Sequence, residues 1–300
     1  MSEGQPTLAK QIRWSEIPAD HLLKLIGLAK DEDIPPGQKD VTTETFPVEG
    51  NHSRAELIAR EPLVLSGIQM VPLILEAYGG DAEFTAHAKD GQPVERGACL
   101  GSIEGNPATV LTSERILLNF LQHLSGIATL TRKFVQAMGS TKTRLLDTRK
   151  TTPGYRLLEK YAVTCGGGWN HRLGLHDRAL IKDNHLLAIG AHDGDPLQKA
   201  VETARSQNPG IPVEVEVDNL RQLPHAAKAA PDCILLDNFT PGEIFKALKI
   251  INGAAATEAS GGITLYTLPE FADLGLDFVS TGATVHQARW TDIGLDWTHS

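Results

Sequence analysis

The sequence predicts an α/β protein in two parts: a mixed first third with an antiparallel sheet, then a parallel, barrel-like sheet after Gly139. Three observations carry this. Short apolar runs broken by Gly-containing turns recur before residue 112, the pattern of antiparallel strands. From Arg144 onward, strand-like runs alternate with helical segments, which implies parallel strands joined by right-handed crossovers. Between the two parts, Ile116, Leu117, Phe120, Leu121, Leu124, Ile127, Ala128 and Leu130 keep an i, i+3/i+4 rhythm.

Taken in order, residues 20–30 have helical spacing, with Asp20 the expected N-cap. Residues 31–53, rich in Asp, Pro, Gly and Thr, read as an irregular loop. Ala55 to Ile68 reads as two extended pieces around Pro62, and 69–78 as a helix stopped by Gly79-Gly80. Glu83–Lys89, Gly97–Glu104 and Ala108–Leu111 read as strands, separated by turns at Asp90-Gly91 and Gly105-Asn106. The long helix is expected from Ser113 to Met138, on the order of 35–40 Å. Strands are then expected at Arg144–Asp147, Ala179–Ile181, Val213–Val217, Cys233–Leu236, Ala256–Ala259 and Phe278–Ser280. The helices between them are Gly154–Ala162, Pro196–Gln207, Leu220–Ala230, Pro241–Ile251 and Leu268–Leu274. This many units favours barrel-like closure over an open sheet.

Composition narrows the function. The 300 residues carry a formal net charge of -9, which disfavours general binding to nucleic acid or a membrane surface. Cys99, Cys165 and Cys233 have neither CxxC nor zinc spacing, so no disulfide scaffold or structural zinc is expected. No apolar run is long enough to span a membrane and no apolar leader is visible at the start. The expected setting is a reducing cytoplasm.

Polar residues cluster where each strand ends: DTRKTTPG (147–154), IKDNH (181–185), EVEVD (214–218), LLDNF (235–239), EASGG (258–262) and STGA (280–283). In an α/β barrel these ends converge on one face, where chemistry occurs. Arg149, Lys150, His171, Arg172 and Lys182 would form a compact cationic pocket, suited to carboxylates and phosphates. Glu214 and Glu216 share one strand face, and with Asp237 could hold Mg²⁺ through oxygen ligands and water. The plainer reading of Glu214 is an internal ion pair with a neighbouring lysine. Ser260-Gly261-Gly262 and Thr281-Gly282-Ala283 are small enough for backbone amides to approach a phosphate. His123 on the long helix reads as structural, and Cys165 and Cys233 as core residues. The residues therefore ask for an anionic substrate with carboxylates, a phosphosugar and Mg²⁺. No Ser-His-Asp motif, Walker loop or dinucleotide fingerprint is present.

DTRKTTPGYRLLEKYAV, GGGWNHRLGLHDRALIKDNH, VEVEV, ILLDNF, EASGGI and DIGLD together resemble the quinolinate phosphoribosyltransferases, a type II phosphoribosyltransferase family. DVTTETF and SERILLNFLQHLSGIAT are also similar, so the resemblance runs from about Asp40 to Asp296. It implies an N-terminal α/β sandwich over residues 1–115, with the tail 287–300 near it, and an incomplete α/β barrel over 116–286. It implies a pentosyltransferase that converts quinolinate and phosphoribosyl pyrophosphate to nicotinate mononucleotide, pyrophosphate and CO₂ with Mg²⁺, feeding NAD synthesis. It also implies a homodimer with shared active sites. By motif, Arg149, Arg172 and Lys182 would hold the quinolinate carboxylates beside Thr148 and His171, with Arg115 reaching across the dimer. Lys150 would contact the pyrophosphate donor. Glu216 and Asp237 would serve the ribose hydroxyls and Mg²⁺, directly or through water. Ser260, Gly261, Gly262, Thr281, Gly282, Ala283 and His286 would hold the 5-phosphate. GATVHQARW is a variant ending of the last barrel unit, with an unexpected Trp290. Open alternatives are a related enzyme acting on another pyridine acid, a Schiff-base aldolase using Lys182, and a phosphosugar sensor without catalysis.

Overall fold

The computed structural model describes residues 7–45, 52–188 and 196–298. The chain forms two compact units, each assembled from separated segments. One holds residues 12–132, 152–167 and 287–298; the other holds 7–11, 133–151 and 168–286. The elements in chain order begin with a 3-10 turn at Trp14–Glu16, α1 (Ala19–Asp33) and α2 (Val41–Thr45). There follow β1 (Ser53–Ala59), β2 (Leu63–Val64), α3 (Met70–Ala77), β3 (Ala82–Ala86), β4 (Pro93–Val94), β5 (Cys99–Gly105) and α4 (Pro107–Ala137). Next are β6 (Arg144–Leu146), α5 (Arg156–Cys165), β7 (Ala179–Ile181), α6 (Asp183–Ala188) and α7 (Pro196–Gln207). The chain continues through β8 (Val213–Val217), α8 (Leu223–Ala229), β9 (Cys233–Asp237), α9 (Pro241–Ile251), β10 (Ala256–Ser260), α10 (Leu268–Ala272), β11 (Phe278–Ser280), α11 (Ala283–His286) and β12 (Ile293–Thr298).

The first unit is built on an antiparallel sheet of order β12-β1-β5-β3. Ala55, Leu57 and Ala59 alternate inward and are fully buried, while Arg54 on the other face pairs with Glu104 across the strands at 2.9 Å. β12, from the C-terminal tail, pairs with β1 in register from Arg54↔Thr298 to Ala59↔Ile293. Leu117, Leu121, Leu124 and Ile127 of α4 are fully buried. Ser125 bonds the backbone of Ser66 in both directions, and Gln122 donates to the Ile293 carbonyl. His123 meets Glu159 at 2.9 Å and lies against Trp290, as a structural residue.

Three local expectations need correction. Ala108–Leu111 is not a strand, because α4 starts earlier. Asn106 accepts the Ala108 amide at 2.9 Å and Pro107 occupies the first helical position, so the pair starts a helix instead of a hairpin turn. Asp20 is not the cap of α1: Pro18, pre-set in φ, takes that position, and Asp20 pairs with Lys24 one turn on. The segment after residue 31 is not wholly irregular. α1 runs to Asp33, and Asp40 accepts the Thr42 and Thr43 amides to start α2. Residues 46–51 of that segment lie outside the described residues.

The second unit holds a six-stranded parallel sheet of order β6-β11-β10-β9-β8-β7. Among the described residues β6 and β7 do not pair, so the barrel is incomplete. Registers such as Glu216↔Leu235, Glu258↔Leu235, Ser260↔Asp237 and Phe278↔Arg144 line up one common face across the strands. Alternation then puts Arg178, Leu180 and Lys182, Glu214 and Glu216, Leu235 and Asp237, Glu258 and Ser260 on that face. Leu8 and Ala9 pack there against Leu146, Cys233, Phe278, Trp169 and Ala256. Among the described residues, no helix is long and apolar enough to cross a membrane.

Gly126 marks the tightest helix approach in the first unit. A Cβ there would lie 2.2 Å from the Arg289 carbonyl oxygen and 3.3 Å from the Trp290 Cα. Both obstacles are backbone, so neither can swing aside. Gly126→Ala gains up to ~1 kcal/mol of helix propensity but overpacks the contact by ~1–3 kcal/mol. The expected outcome is a lower melting temperature, read by calorimetry; a rise would mean that the 287–292 segment moves away freely.

Candidate active site

The tip after β6 is folded by its own hydroxyls. Thr148 Oγ1 accepts the Lys150 amide at 3.0 Å, and the Arg149 carbonyl accepts the Thr151 amide at 3.0 Å. Arg149 is half-buried with its Nε unbonded, and Lys150 is exposed. Asp147, wholly buried, accepts the His171 amide and the Asn170 side chain, each at 2.9 Å. Asp147 thereby fixes the 170–172 segment beside the β6 tip.

His171 is buried, and both of its ring nitrogens are engaged. Nδ1 accepts the Arg172 amide at 2.8 Å, which favours the tautomer with its proton on Nε2. Nε2 lies 3.1 Å from Glu214 and 3.5 Å from Glu258. Arg178 joins this cluster. Its Nη1 is 3.0 Å from Glu214 and 3.9 Å from Glu258, and its other terminal nitrogen donates to the Leu8 carbonyl. Burial opposes charge on Glu214, but His171 and Arg178 outweigh it and hold that carboxyl well below the ordinary range. His171 and the two carboxylates could be taken for metal ligands. The Arg178 guanidinium already supplies the cation among them.

Arg172 is half-buried, and its Nη1 donates to the Arg178 carbonyl at 3.2 Å. Burial and the charge of Arg149 both depress its pKa, so the two guanidiniums feel each other. Among the described residues neither makes a salt bridge. Lys182 differs: its Nζ lies 2.5 Å from Glu216 Oε2. Five cations were expected in one pocket. Among the described residues Arg149, Arg172 and Lys150 have no carboxylate partner, Lys182 pairs with Glu216, and His171 sits in the buried cluster.

The phosphate-binding candidates form a close-packed corner. Gly261 has φ +92°, and a Cβ there would fall 2.2 Å from Asn238 Oδ1, so only glycine fits. Thr281 donates its hydroxyl to the Ile263 carbonyl and its amide to the Leu146 carbonyl. Its Oγ1 also accepts the Ala283 amide at 3.2 Å. A Cβ on Gly282 would lie 2.9 Å from Lys150, 3.0 Å from His286 and 3.1 Å from Thr148 Oγ1, so these three line one niche. Asp237 ends β9 beside Ser260 and accepts the Asn238 side chain at 2.8 Å. Glu216 and Asp237 sit at the C-terminal ends of adjacent strands on one face, and each keeps an oxygen free of these bonds. That donor set fits Mg²⁺ held partly through water. Arg115 is exposed on α4, within the first unit.

Sequence reasoning missed Arg178 and Asp147, and gave Glu258 no role. The expected lysine partner of Glu214 is in fact Arg178, with His171. The one hint was its spacing, two residues before Leu180 and four before Lys182, but Arg178 precedes β7 by one residue and reads as a flank until the β7–β8 register is known. Cys165 and Cys233 are buried core residues, as expected, with thiols pushed up by burial, Cys165 to about 12.

Burial and the Glu214 charge push the Glu258 carboxyl up from 4.5 to about 7. A carboxyl with a higher pKa folded than unfolded favours folding in its protonated form. That contribution is full below about 4.5 and is lost as pH rises through about 7. Glu258→Gln, which mimics the protonated acid, should match the parent near pH 5 and exceed its stability at pH 8 by on the order of 2–3 kcal/mol. Urea unfolding at the two pH values checks this; an equal difference at both would assign the proton elsewhere.

Comparison with known proteins agrees with this geometry. Residues 40–125 match the family model for the quinolinate phosphoribosyl transferase N-terminal domain, and 127–296 the model for its C-terminal domain. A probable nicotinate-nucleotide pyrophosphorylase [carboxylating] of Bacillus subtilis is 37% identical over 280 residues, 93% of this chain and 94% of the relative. The Mycobacterium leprae enzyme of that name is 40% identical over 262 residues, covering 86% and 90%. The solved nicotinate-nucleotide pyrophosphorylase of Francisella tularensis superposes with a TM-score of 0.87 at 38% identity, over 96% of this chain and all of that one. With its tips, buried cluster and glycine corner in this arrangement, the chain belongs to the quinolinate phosphoribosyl transferase family.

Proposed function

We propose that this protein transfers the phosphoribosyl group of phosphoribosyl pyrophosphate to quinolinate, with decarboxylation, at the C-terminal ends of β6–β11. The observation that carries the reading is the pair Arg149 and Arg172: neighbouring, half-buried, and without carboxylate partners among the described residues. Two like charges held together are stabilised by a dianion, and quinolinate supplies one. Glycine and hydroxyl groups at Ser260–Gly262 and Thr281–Ala283, with His286, support a 5-phosphate site.

Arg149 and Arg172 hold the acid so that its ring nitrogen faces the anomeric carbon, and Thr148 shapes the tip that carries them. Lys150 neutralises the pyrophosphate. The nitrogen lone pair forms the new bond to that carbon as the carbon–oxygen bond breaks, with its electron pair leaving on pyrophosphate. Glu216 and Asp237 face the ribose and stabilise positive charge developing on the sugar. They would also hold Mg²⁺, which when bound offsets charge on the leaving group. The ring, now a pyridinium, takes up the electron pair of the adjacent carbon–carboxylate bond as CO₂ departs, and a proton fills that ring position. Lys182 serves as an ammonium donor to Glu216, at 2.5 Å, and on to the acid. That engagement favours the transferase over a Schiff-base aldolase. The working form is a homodimer in the cytoplasm, with Arg115 entering the neighbouring subunit's pocket.

The first expected outcome concerns substrate choice. Nicotinate lacks the second carboxylate and leaves an arginine unpaired, so its kcat/KM should fall by about two orders of magnitude or more. Pyrophosphate release with each acid measures this; comparable turnover of nicotinate would remove quinolinate as the substrate.

The second concerns the dimer. Arg115→Ala should lose a charge-assisted contact worth ~1.5–3 kcal/mol, and Lys150→Ala should lose the donor. A mixed dimer of the two inactive variants carries one site with both native residues. Activity should therefore return on subunit exchange. Exchange shown by mass tags without returning activity would confine Arg115 to its own chain.

A further inference from the structure

Beneath the acid site lies a charge cluster that no step of the reaction uses. Glu214 and Glu258 are wholly buried, and Arg178 nearly so. The cluster grips the acid-binding segment from two directions. Through the ring, Glu214 and Glu258 flank His171 Nε2, while His171 Nδ1 receives the Arg172 amide. Through the chain, the Arg178 carbonyl receives the Arg172 guanidinium at 3.2 Å. Arg178 is itself held by Glu214 and by the Leu8 carbonyl.

We propose that Arg178, Glu214 and Glu258 are positioning residues for Arg172: they clamp the His171 ring and the Arg178 backbone, and those two together set the amide and guanidinium of Arg172. His171 then acts on the acid through Arg172, since both ring nitrogens are engaged within the protein. The proposal rests on the placement of the acid at Arg172. A guanidinium tilted by a small displacement loses bidentate geometry with a carboxylate. The cluster should therefore affect the acid and leave the pyrophosphate donor, held at Lys150 and the glycine corner, largely alone.

The test measures KM for each substrate in Glu214→Gln and Arg178→Met, with Arg172→Gln alongside. Melting temperature and hydrodynamic size establish that each variant is folded. Glu214→Gln and Arg178→Met should raise the quinolinate KM about tenfold and keep the phosphoribosyl pyrophosphate KM within about twofold. Arg178→Lys, which retains the charge, should recover part of the loss. If either buried variant fails to fold, Glu258→Gln assayed at pH 8, above the raised Glu258 pKa of about 7, reads the same split with one carboxylate charge removed. Folded variants with an unchanged quinolinate KM, or with both KM values raised equally, overturn the proposal. An Arg172→Gln enzyme with unchanged quinolinate KM overturns the acid placement and this proposal with it; an Arg172 effect without a cluster effect overturns the proposal alone.

Discussion

Two buried carboxylates on one face of the parallel sheet constrain much of the second unit. Glu214 and Glu258 have no exposed surface, and an unpaired buried charge costs several kcal/mol. Arg178 meets this from the neighbouring strand edge, at 3.0 Å from Glu214. Its remaining donors need acceptors too, and the Leu8 carbonyl supplies one. This ties residues 8–11 into the sheet unit: Lys10 bridges with Asn170, and Gln11 donates to the Gly168 carbonyl. Burial and the Glu214 charge push the Glu258 carboxyl up to about 7, whereas His171 and Arg178 hold Glu214 well below the ordinary range. The segment 168–172, which carries Arg172, is thus held by Asp147, the N-terminal strap and the cluster at once.

Charge along the inward face is sorted by depth. At the level of Glu214 and Glu258 the charges are closely opposed and buried. At the tips, Arg149 and Arg172 feel each other's charge and have no carboxylate partner among the described residues. Placing like charges together is unfavourable to the free protein, and a dianionic ligand relieves it. The Arg172 amide bonds His171 Nδ1 and its guanidinium bonds the Arg178 carbonyl, so the buried layer holds one of the two guanidiniums from below. Preorganisation of this kind transfers its cost from the moment of reaction to the moment of folding. Lys182 and Glu216 lie between the two regimes, partly exposed and paired.

Much of this was legible in the sequence. The strand tips, the glycine corner and Glu216 with Lys182 all stand at strand ends, where apolar alternation breaks, and that break is visible one strand at a time. Pro196–Gln207 and Pro241–Ile251 were legible because Pro at the first position and a polar end leave little ambiguity. Arg178 was not legible. A single arginine one residue before a three-residue strand looks like a flank, and only the β7–β8 register sets it against Glu214. His171 stands among cations in the sequence and its place beside the acid came from the resemblance; its contacts with Glu214 and Glu258 could not be read because both lie far along the chain. The start of α4 was missed because Gly105-Asn106 is a good turn sequence, and Pro107 decides between turn and helix.

Register links the fold to the site more tightly than proximity does. On β8 the order Val213, Glu214, Val215, Glu216, Val217 sends the valines to one face and the glutamates to the other. A slip of one residue would put Glu214 and Glu216 among apolar neighbours such as Ile181 and Leu197, and valines against Arg178 and His171. Both halves of that exchange are costly, one through unpaired buried charge and the other through stranded cations. The same alternation that gives β8 a unique register therefore delivers Glu216 to the tip and Glu214 to the cluster. β8, β9 and β10 each carry an inward carboxylate, and Arg178 and Lys182 flank β7 on the same face, so the register that buries the valines also assembles the site.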